Sequence, residues 1–277
     1  NHGLLNVSTP EFFSAALVFP PVDEQKKIAE VLSCCDRVIE LKQQLIAELQ
    51  RLKSGFLQAM FPAKGHSEPD IRFPEFSDAW EQRKLLLICD FEKGRGLSKD
   101  NIDNNGKYPC ILYGQLFTDY GMFINTVYSK SNIISEECKL SEKGDILIPR
   151  CDTTPDGLGR ASVLALDNVI LGFDINILKI KNKQKYDSGF VSVALNHHKK
   201  DLLSKVVGST VRHLENKELR DVSIEYPNSL EEQKKVGEYF QALDHLITLH
   251  QRELKETKKK KKSLAKLLLT GSVRVPT

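Results

Sequence analysis

The 277-residue sequence lacks the signatures of several common protein classes. No apolar run approaches the ~20 residues that a membrane-spanning helix needs, and no secretory signal peptide opens the chain. Its six cysteines include no C-x-x-C pair, and a chain of this length can build a core without disulfide bonds. We therefore expect reduced thiols in a cytoplasmic protein and no zinc site. Because the first residue is Asn1 and not Met, we expect the numbering to begin inside a longer protein.

Motifs of catalytic and cofactor-binding sites are also missing. There is no G-x-x-x-x-G-K-[ST] phosphate-binding loop, and no Asn/Asp-Pro-Pro-aromatic motif of an amino-methyltransferase. Glu137-Cys138-Lys139 could form a nuclease half-motif with Asp119, but such triplets arise often in a sequence with 28% charged residues. His197-His198 have no other His or Cys at ligand spacing, so we expect them on a helix surface. The sequence predicts no catalytic residue, cofactor or metal, and a metal-dependent nuclease is the least favoured alternative.

The charge balance gives little support to nucleic-acid binding by bulk charge, because the net charge is only +3. Residues 63–230 contain 23 Lys/Arg and 24 Asp/Glu, a balance of −1, so phosphate contacts there would need local patches. Residues 231–277 contain 11 Lys/Arg and 6 Asp/Glu, a balance of +5, and include the run Lys258–Lys262. That run is either a solvated helix face or a patch that contacts phosphates or a partner.

An internal repeat is the strongest feature of the sequence. Asp23–Glu30 recurs 208 residues later as Glu231–Glu238, and both copies contain Glu-Gln-Lys-Lys. Weaker similarity extends upstream, where Phe19-Pro20 aligns with Tyr226-Pro227 after a one-residue slip. A match that continues beyond its core in this way indicates a duplicated segment.

Each copy has the periodicity of a long helix with a heptad seam. In the first copy nine of the ten residues that recur every seven positions from Ile28 and from Val31 are apolar, Lys42 being the exception, whereas the second copy is polar in its middle. We expect the two helices to pair with each other, antiparallel in preference to parallel. The predicted seam residues are Ile28, Val31, Val38, Leu45, Leu49, Leu52, Val236, Leu243, Leu246 and Leu264.

Between the helices the sequence predicts a domain rich in strands. Short β-prone runs alternate with turn residues, and one amphipathic helix is expected near Ser188–Val207, ended by Gly208. Because strands dominate and helices do not alternate with them, the fold class is α+β. The predicted strands are Leu85–Cys89, Tyr108–Tyr113, Met122–Tyr128, Asp145–Ile148, Ala161–Leu166, Val169–Ile180 and Asp221–Tyr226.

Several segments in this order resemble Type I restriction-modification specificity subunits. Ile71–Phe76 with Ala79–Leu85 is similar to the opening of a target-recognition domain of that family, and Gly144–Arg150 resembles its Gly-Asp-Ile-Leu strand. Gly208–Leu214 is similar to the segment that closes such a domain, and the repeated Pro-x-x-x-Glu-Gln-Lys-Lys stretch resembles the family's spacer helices.

The resemblance implies one β-rich target-recognition domain flanked by two long antiparallel coiled-coil helices. The expected divisions are a tail of a first recognition domain at 1–22, a central helix at 23–62, a recognition domain at 63–230 and a C-terminal helix at 231–277. The chain would then be a C-terminal portion or a half-length form of such a subunit, and the tail at 1–22 favours the former.

For function, the resemblance implies a non-catalytic subunit that binds double-stranded DNA and reads one half of a bipartite site. Its partners would be methyltransferase (M) subunits and, through them, restriction (R) subunits, with self-association through the helices as a further possibility. A coiled-coil adaptor with a peptide-binding domain is the second alternative. The residues predicted to contact DNA, with Arg150 and Arg160 favoured, are Lys107, Tyr113, Gln115, Tyr120, Arg150, Thr153, Thr154, Arg160 and Arg212.

Overall fold

The computed structural model describes residues 9–14, 19–103, 105–152, 155–208 and 210–275. The chain divides into two compact units, one formed by Asn1–Ile46 with His250–Thr277 and the other by Ala47–Leu249. We call them the helical unit and the recognition unit. No helix in the described ranges is long and apolar enough to cross a membrane. The predicted tail domain at 1–22 lies mostly outside the described residues, and the domain boundaries stay predictions.

Two long helices dominate the helical content. The first copy of the repeat is helical from Val22, directly after Pro20-Pro21, and the second from Leu230. Acidic residues occupy the first turn of both, where they complement the helix dipole. The α-helices of the described residues are α1 Thr9–Ser14, α2 Val22–Ala59, α3 Leu85–Ile88, α4 Gln115–Thr118, α5 Pro155–Leu158, α6 Ser188–His197, α7 Lys199–Ser204, α8 Asn216–Leu219 and α9 Leu230–Leu269.

The strands of the recognition unit are short and mostly antiparallel. They are β1 Glu81–Lys84, β2 Cys89–Lys93, β3 Tyr108–Ile111, β4 Phe123–Ile124, β5 Ser129–Ser131, β6 Lys139–Leu140, β7 Ile146–Pro149, β8 Cys151–Asp152, β9 Ser162–Leu164, β10 Ile170–Leu171, β11 Ile175–Ile180, β12 Arg212–His213 and β13 Ser223–Tyr226. One sheet has the order β2-β11-β7-β9-β4 and another β5-β3-β10-β6, while β1 pairs with β13 and β8 with β12. Within the larger sheets only β4–β9 and β3–β10 are parallel pairs. This arrangement confirms the predicted α+β class.

The long helices are antiparallel within each unit. In the helical unit Lys42 Nζ lies 2.7 Å from Glu253 Oε2, and residues earlier in α2 meet residues later along the chain, as Asp36 does with Lys261. In the recognition unit Phe56 packs edge-on against Tyr239 with ring centroids 5.3 Å apart. The favoured antiparallel pairing is thus confirmed.

Part of the predicted seam is wrong, because half of its residues lie outside the covered stripe. Val31, Val38, Leu45 and Leu52 have between 36% and 46% of their surface exposed, and Leu246 has 42%. The other predicted residues, such as Ile28 and Val236, do lie on the covered side. The covered stripe of α2 consists of Ile28, Leu32, Cys35, Ile39, Lys42, Ile46, Leu49, Lys53 and Phe56, and Met60 continues it just after the helix ends.

In the second helix one of the four predicted seam residues is displaced in the same way. Ile247 is buried where Leu246 was expected, and Leu268 is buried beside the exposed Leu267. Its covered residues are Val236, Phe240, Leu243, Ile247, His250, Leu254, Thr257, Lys261, Leu264 and Leu268. Both stripes alternate steps of four and three residues, as a coiled-coil seam requires.

The core of the recognition unit receives the end of the first helix. Phe61 is fully buried and stacks on Phe190 at 5.6 Å and on the His197 ring at 4.8 Å, with Trp80 edge-on at 5.5 Å. This aromatic cluster fixes the domain to the helix from which the chain enters it.

The two adjacent histidines are not on the surface, which corrects our expectation. His197 Nδ1 donates to the Leu57 carbonyl at 2.7 Å, and burial together with the neighbouring His198 lowers the pKa of His197. Burial also opposes protonation of His198, but its hydrogen bonds to Glu225 and Asp201 outweigh that effect and raise its pKa. Of the two histidines, His198 is thus the one whose protonated form is favoured, because two carboxylates accept its hydrogen bonds.

Three of the secondary-structure predictions need correction, one of them being the single strand Val169–Ile180, which the structure divides into β10 and β11. Leu85–Ile88 is a helical turn and not a strand, because Leu85 and Ile88 are buried while the two leucines between them are exposed, which is helical spacing. The predicted helix Ser188–Val207 breaks at His198 into α6 and α7.

Candidate nucleic-acid interface

A groove of about 1070 Å³ opens on the recognition unit beside the turn that follows β3. One wall is α4 and the residues before it, among them Tyr113 and Gln115 from the predicted DNA-binding set. The lining also includes Phe173 and Val211, which are 52% and 47% exposed. The remaining lining residues are Leu97, Ser98, Lys99, Ile102, Leu112, Gly114, Phe117, Thr118, Ser129, Cys151, Asp152 and Asp174.

Gln115 holds the wall of the groove in shape. Its Oε1 accepts the backbone N–H of Leu112 at 3.0 Å, and its Nε2 donates to Ser129 Oγ at 2.6 Å and to Asp119 Oδ2 at 3.1 Å. Tyr113 lies beside it; burial and the neighbouring Cys151 raise the pKa of its phenol. Gln115 is therefore committed to internal hydrogen bonds in this state.

Arg150 lies next to the groove in a closed ion-pair network. Its Nη2 and Nε lie 2.6 and 3.0 Å from Asp174 Oδ1, and its Nη1 lies 3.0 Å from Glu215 Oε1. The hydrogen bond to Asp174 is the main cause that raises the pKa of Arg150, against the effect of burial. The structure therefore gives this residue an intramolecular role in joining the end of β7 to two acidic segments, and DNA contact by it stays a prediction.

Arg160 braces the groove wall from inside. Its Nη1 donates to the carbonyls of Leu116, Phe117 and Tyr120 at 3.2–3.4 Å, and burial lowers its pKa although Asp244 acts in the opposite direction. A guanidinium held by three carbonyls at the end of α4 positions that turn.

The remaining predicted residues are dispersed. Tyr120 is buried, and its hydroxyl accepts the backbone N–H of Tyr128 at 3.2 Å. Lys107 is exposed, with its ammonium 5.4 Å from the Tyr108 ring. Arg212 is half-buried, and its Nε has no hydrogen-bond partner in the described part of the chain. Thr153 and Thr154 lie outside the described residues.

Sequence reasoning missed the most accessible residues of the groove. Lys99 and Thr118 are exposed on its rim, and Phe173 offers an exposed aromatic face. The glycine-rich turn Gly94-Arg95-Gly96 is the sequence signal that could have pointed to the segment of Lys99. Gly96 has φ 82°, and a Cβ there would lie 2.7 Å from the Cys138 Cα, so the turn requires glycine at this position. An ammonium, a hydroxyl and an aromatic face together suit contact with phosphates and base edges.

The repeated Glu-Gln pair builds a second kind of polar site, which we call the carboxylate–guanidinium clasp. In the recognition unit Glu232 is buried and accepts Arg72 Nε at 2.7 Å, Arg72 Nη2 at 2.9 Å and Trp80 Nε1 at 3.2 Å. Gln233 is also buried: it accepts the backbone N–H of Asp187 at 2.9 Å and donates to the Pro227 carbonyl at 2.9 Å. The pair attaches the start of α9 to the domain.

The helical unit contains the same clasp. Glu24 is buried and accepts Arg274 through both Nε, at 2.6 Å, and Nη2. Gln25 donates to the Pro20 carbonyl at 2.8 Å, as Gln233 does to Pro227. The arginines could have been found from sequence, because Val273-Arg274-Val275-Pro276 follows α9 as Ile71-Arg72-Phe73-Pro74 follows α2.

In the described ranges, no three His, Cys, Asp or Glu side chains come together as a metal site would require.

Comparison with known proteins identifies the family. Residues 77–259 match the family described as the Type I restriction modification DNA specificity domain. The chain belongs to this family. It is 27% identical to the Type I restriction enzyme MjaVIII specificity subunit of Methanocaldococcus jannaschii over 301 aligned residues, covering 99% of this chain and 65% of that protein. It is also 27% identical to the putative type I restriction enzyme MjaX specificity subunit of the same organism, over 93% of this chain and 59% of that protein.

The fold is shared with solved structures from Type I restriction-modification systems. A Type I restriction-modification S subunit from M. genitalium superposes with a TM-score of 0.60 at 20% identity, over 90% of this chain and 61% of that one. A structure from a study of complex assembly in the type I system gives a TM-score of 0.53 at 19% identity, over 95% of this chain and 63% of that one. This specificity-family chain therefore spans about three fifths to two thirds of the length of these relatives.

Proposed function

We propose that this chain is the DNA-recognition part of a Type I specificity subunit, reads one half of a bipartite site, and has no catalytic role of its own. Family membership carries the proposal, and the groove with Lys99, Thr118 and Phe173 on its rim supplies a surface that suits base edges and phosphates. The near-neutral balance of residues 63–230 implies weak binding of duplex DNA by the isolated chain at physiological salt.

The duplicated clasp supports reading of a bipartite site. Glu232 and Gln233 attach the recognition domain that we describe, whereas Glu24 and Gln25 repeat their chemistry in the helical unit. Two equivalent attachment points suit two recognition domains, each reading one half of the site.

Docking of methyltransferase subunits is supported by a second apolar stripe on the helical unit. Val31, Val38 and Leu45 are 36–43% exposed and follow one another at seven-residue intervals on α2, outside the seam. A helix of a partner subunit could pack against such a stripe by the same heptad rule. Restriction subunits would join through the methyltransferase.

The test of base reading uses the chain expressed with its methyltransferase partner and sequencing of the methylated adenines of the host. We expect Phe173→Ala and Lys99→Ala to abolish methylation or alter one half of a split motif. Ile134→Ala and Lys217→Ala are matched controls, since both side chains are exposed and neither lines the groove. An unchanged motif in the groove variants would refute the proposed site.

The coiled-coil adaptor is the alternative that the same experiment addresses. If the methylated motif never depends on this chain while Leu45→Glu abolishes co-purification with a protein partner, the adaptor is favoured. For the proposed function, Leu45→Glu should release the methyltransferase subunit, whereas Gln43→Glu, a charge at a nearby exposed position, should not.

A further inference from the structure

The helical unit carries a lysine face on the outer side of α9. Residues 250–269 contain eight Lys/Arg and two Asp/Glu, a balance of +6. Five of the lysines project within an arc of about 100° when each residue advances the helix by about 100°. All are exposed, and they lie opposite the covered seam residues Thr257, Leu264 and Leu268. The lysine face consists of Lys255, Lys258, Lys259, Lys262 and Lys266.

The lysine face has no acidic partner in the described part of the chain. Lys261 belongs to the same run but lies outside the face; it turns toward the other helix and pairs with Asp36. Glu253 is occupied by Lys42 and His250. The face thus leaves five ammonium groups free to meet an anion from outside.

Pairing of the helices does not require this charge. At the 208-residue offset of the repeat, α2 carries a single cation on equally exposed positions of its outer side. Lysines four residues apart, such as Lys255 and Lys259, repel each other and destabilise the helix that carries them. The equivalent residues of α2 are Ala47, Gln50, Arg51, Ser54 and Gln58.

The spacing of the lysine face fits a duplex backbone. From Lys255 to Lys266 the helix rises about 16 Å at 1.5 Å per residue. About five base pairs of duplex DNA cover the same length at 3.4 Å per base pair. Lysines bind phosphates as point charges and do not read base sequence. Between Lys255 and Lys266, no other hydrogen-bonding side chain and no aromatic one projects within the arc of the five lysines.

We propose that the lysine face binds the backbone phosphates of duplex DNA and supplies affinity that is independent of base sequence. This inference rests on the proposed DNA-recognition function and adds to it a second DNA contact, which involves the phosphates and not the bases. The proposed DNA-recognition function and the match in length to a duplex backbone favour duplex DNA over an acidic protein surface or an anionic membrane, and those two are outcomes of the test.

The experiment measures the salt dependence of DNA binding by the full chain, using a fluorescent 30-base-pair duplex (about three helical turns) and a series of salt concentrations. The variant replaces all five lysines of the face by glutamine. Each phosphate contact contributes about 0.9 to the slope of log K against log salt, so we expect the slope to fall by about 3–4.5. Binding at low salt should weaken at least about tenfold.

Two controls separate the lysine face from general charge and from folding. Replacing the five lysines by arginine keeps the charge and should keep most of the slope. Replacing five exposed lysines of the recognition unit by glutamine should change the slope much less. Helicity measured by circular dichroism should match the unchanged chain in every variant. The control lysines are Lys130, Lys143, Lys183, Lys200 and Lys217.

Several results would overturn the proposal. These are an unchanged slope in the glutamine variant, an equal loss in the control set, or no binding of duplex by the unchanged chain even at low salt. Loss of methyltransferase co-purification or of binding to anionic vesicles, with the DNA slope intact, would assign the face to a protein or a membrane. The methylated motif is a separate readout: if it depends on the groove while the slope does not change, this inference fails and the proposed function stands.

Discussion

Neutralising Glu232 tests whether the carboxylate–guanidinium clasp attaches the domain to the helix. The side chains of Glu232 and Arg72 are 2% and 13% exposed, so Glu232→Gln leaves a largely covered guanidinium without its carboxylate partner while keeping the size of the side chain. Removing one partner of a buried ion pair costs about 3–5 kcal/mol. Because the glutamine oxygen can still accept one of the former hydrogen bonds, we expect the lower end of that range.

The assay is reversible urea unfolding and thermal unfolding of the full chain, followed by circular dichroism. A loss of about 3 kcal/mol corresponds to a fall of about 6–12 °C in the thermal midpoint for a chain of this size. Glu24→Gln is the matched control, because it removes the equivalent carboxylate whose partner Arg274 is 64% exposed. Water can solvate that arginine, so the control should lose much less stability.

A double variant separates the electrostatic cause from packing. If the cost comes from the unpaired guanidinium, adding Arg72→Met to Glu232→Gln should restore much of the loss, since replacing both members of a buried pair by uncharged groups can be close to neutral. A fall of under about 2 °C in Glu232→Gln, or additive losses in the double variant, would show that the clasp is not what holds the helix to the domain.

Three further predictions concern single positions. His198→Gln should reduce the free energy of unfolding more near pH 5.5 than near pH 9. A histidine whose pKa is raised by folding stabilises the fold fully below its unfolded pKa near 6.5, and it loses that contribution as the pH rises through its folded pKa. Urea titrations at the two pH values check this. Ile46→Ala should cost about 2–4 kcal/mol and Leu45→Ala under about 1 kcal/mol in the same assay, and the reverse order would contradict the seam described above. Gly121→Ala should destabilise by about 1–3 kcal/mol, since its Cβ would lie 2.1 Å from a buried carboxylate oxygen of α9, whereas Gly55→Ala, with nothing within 4 Å, should stabilise the helix slightly.

The sequence predicted the long helices well and their seam only in part. Helix existence and approximate ends follow from the repeat and its flanking prolines, whereas antiparallel pairing was only the favoured of two directions. The seam did not, because apolar residues stand side by side at Val31-Leu32, Val38-Ile39 and Leu45-Ile46. Each pair offers two seven-residue stripes, and only the packing against the second helix decides which is covered. The exposed stripe is then free for another partner.

The candidate interface was predicted less well, because side-chain chemistry does not reveal which cations are already paired. Arg150 and Arg160 flank a turn-rich loop, which is why they were favoured as DNA contacts, yet one is held by two carboxylates and the other by three backbone carbonyls. Those partners come from segments distant in the sequence. Conversely, the rim residue Phe173 follows a Gly at the break between β10 and β11, where the sequence pattern predicted one continuous strand.

The distribution of charge has a consequence for selectivity if both proposals hold. Phosphate contacts strengthen binding to every sequence equally, and competing sites in a genome are numerous, so excess charge in a reading domain raises the background that the domain must overcome. Here residues 63–230 are nearly neutral, whereas residues 250–269 carry +6. Placing the phosphate contacts on a helix that reads no bases would let affinity and selectivity vary independently. Changes in the groove would then alter the motif, and changes in the lysine face would alter the salt range in which the motif is read.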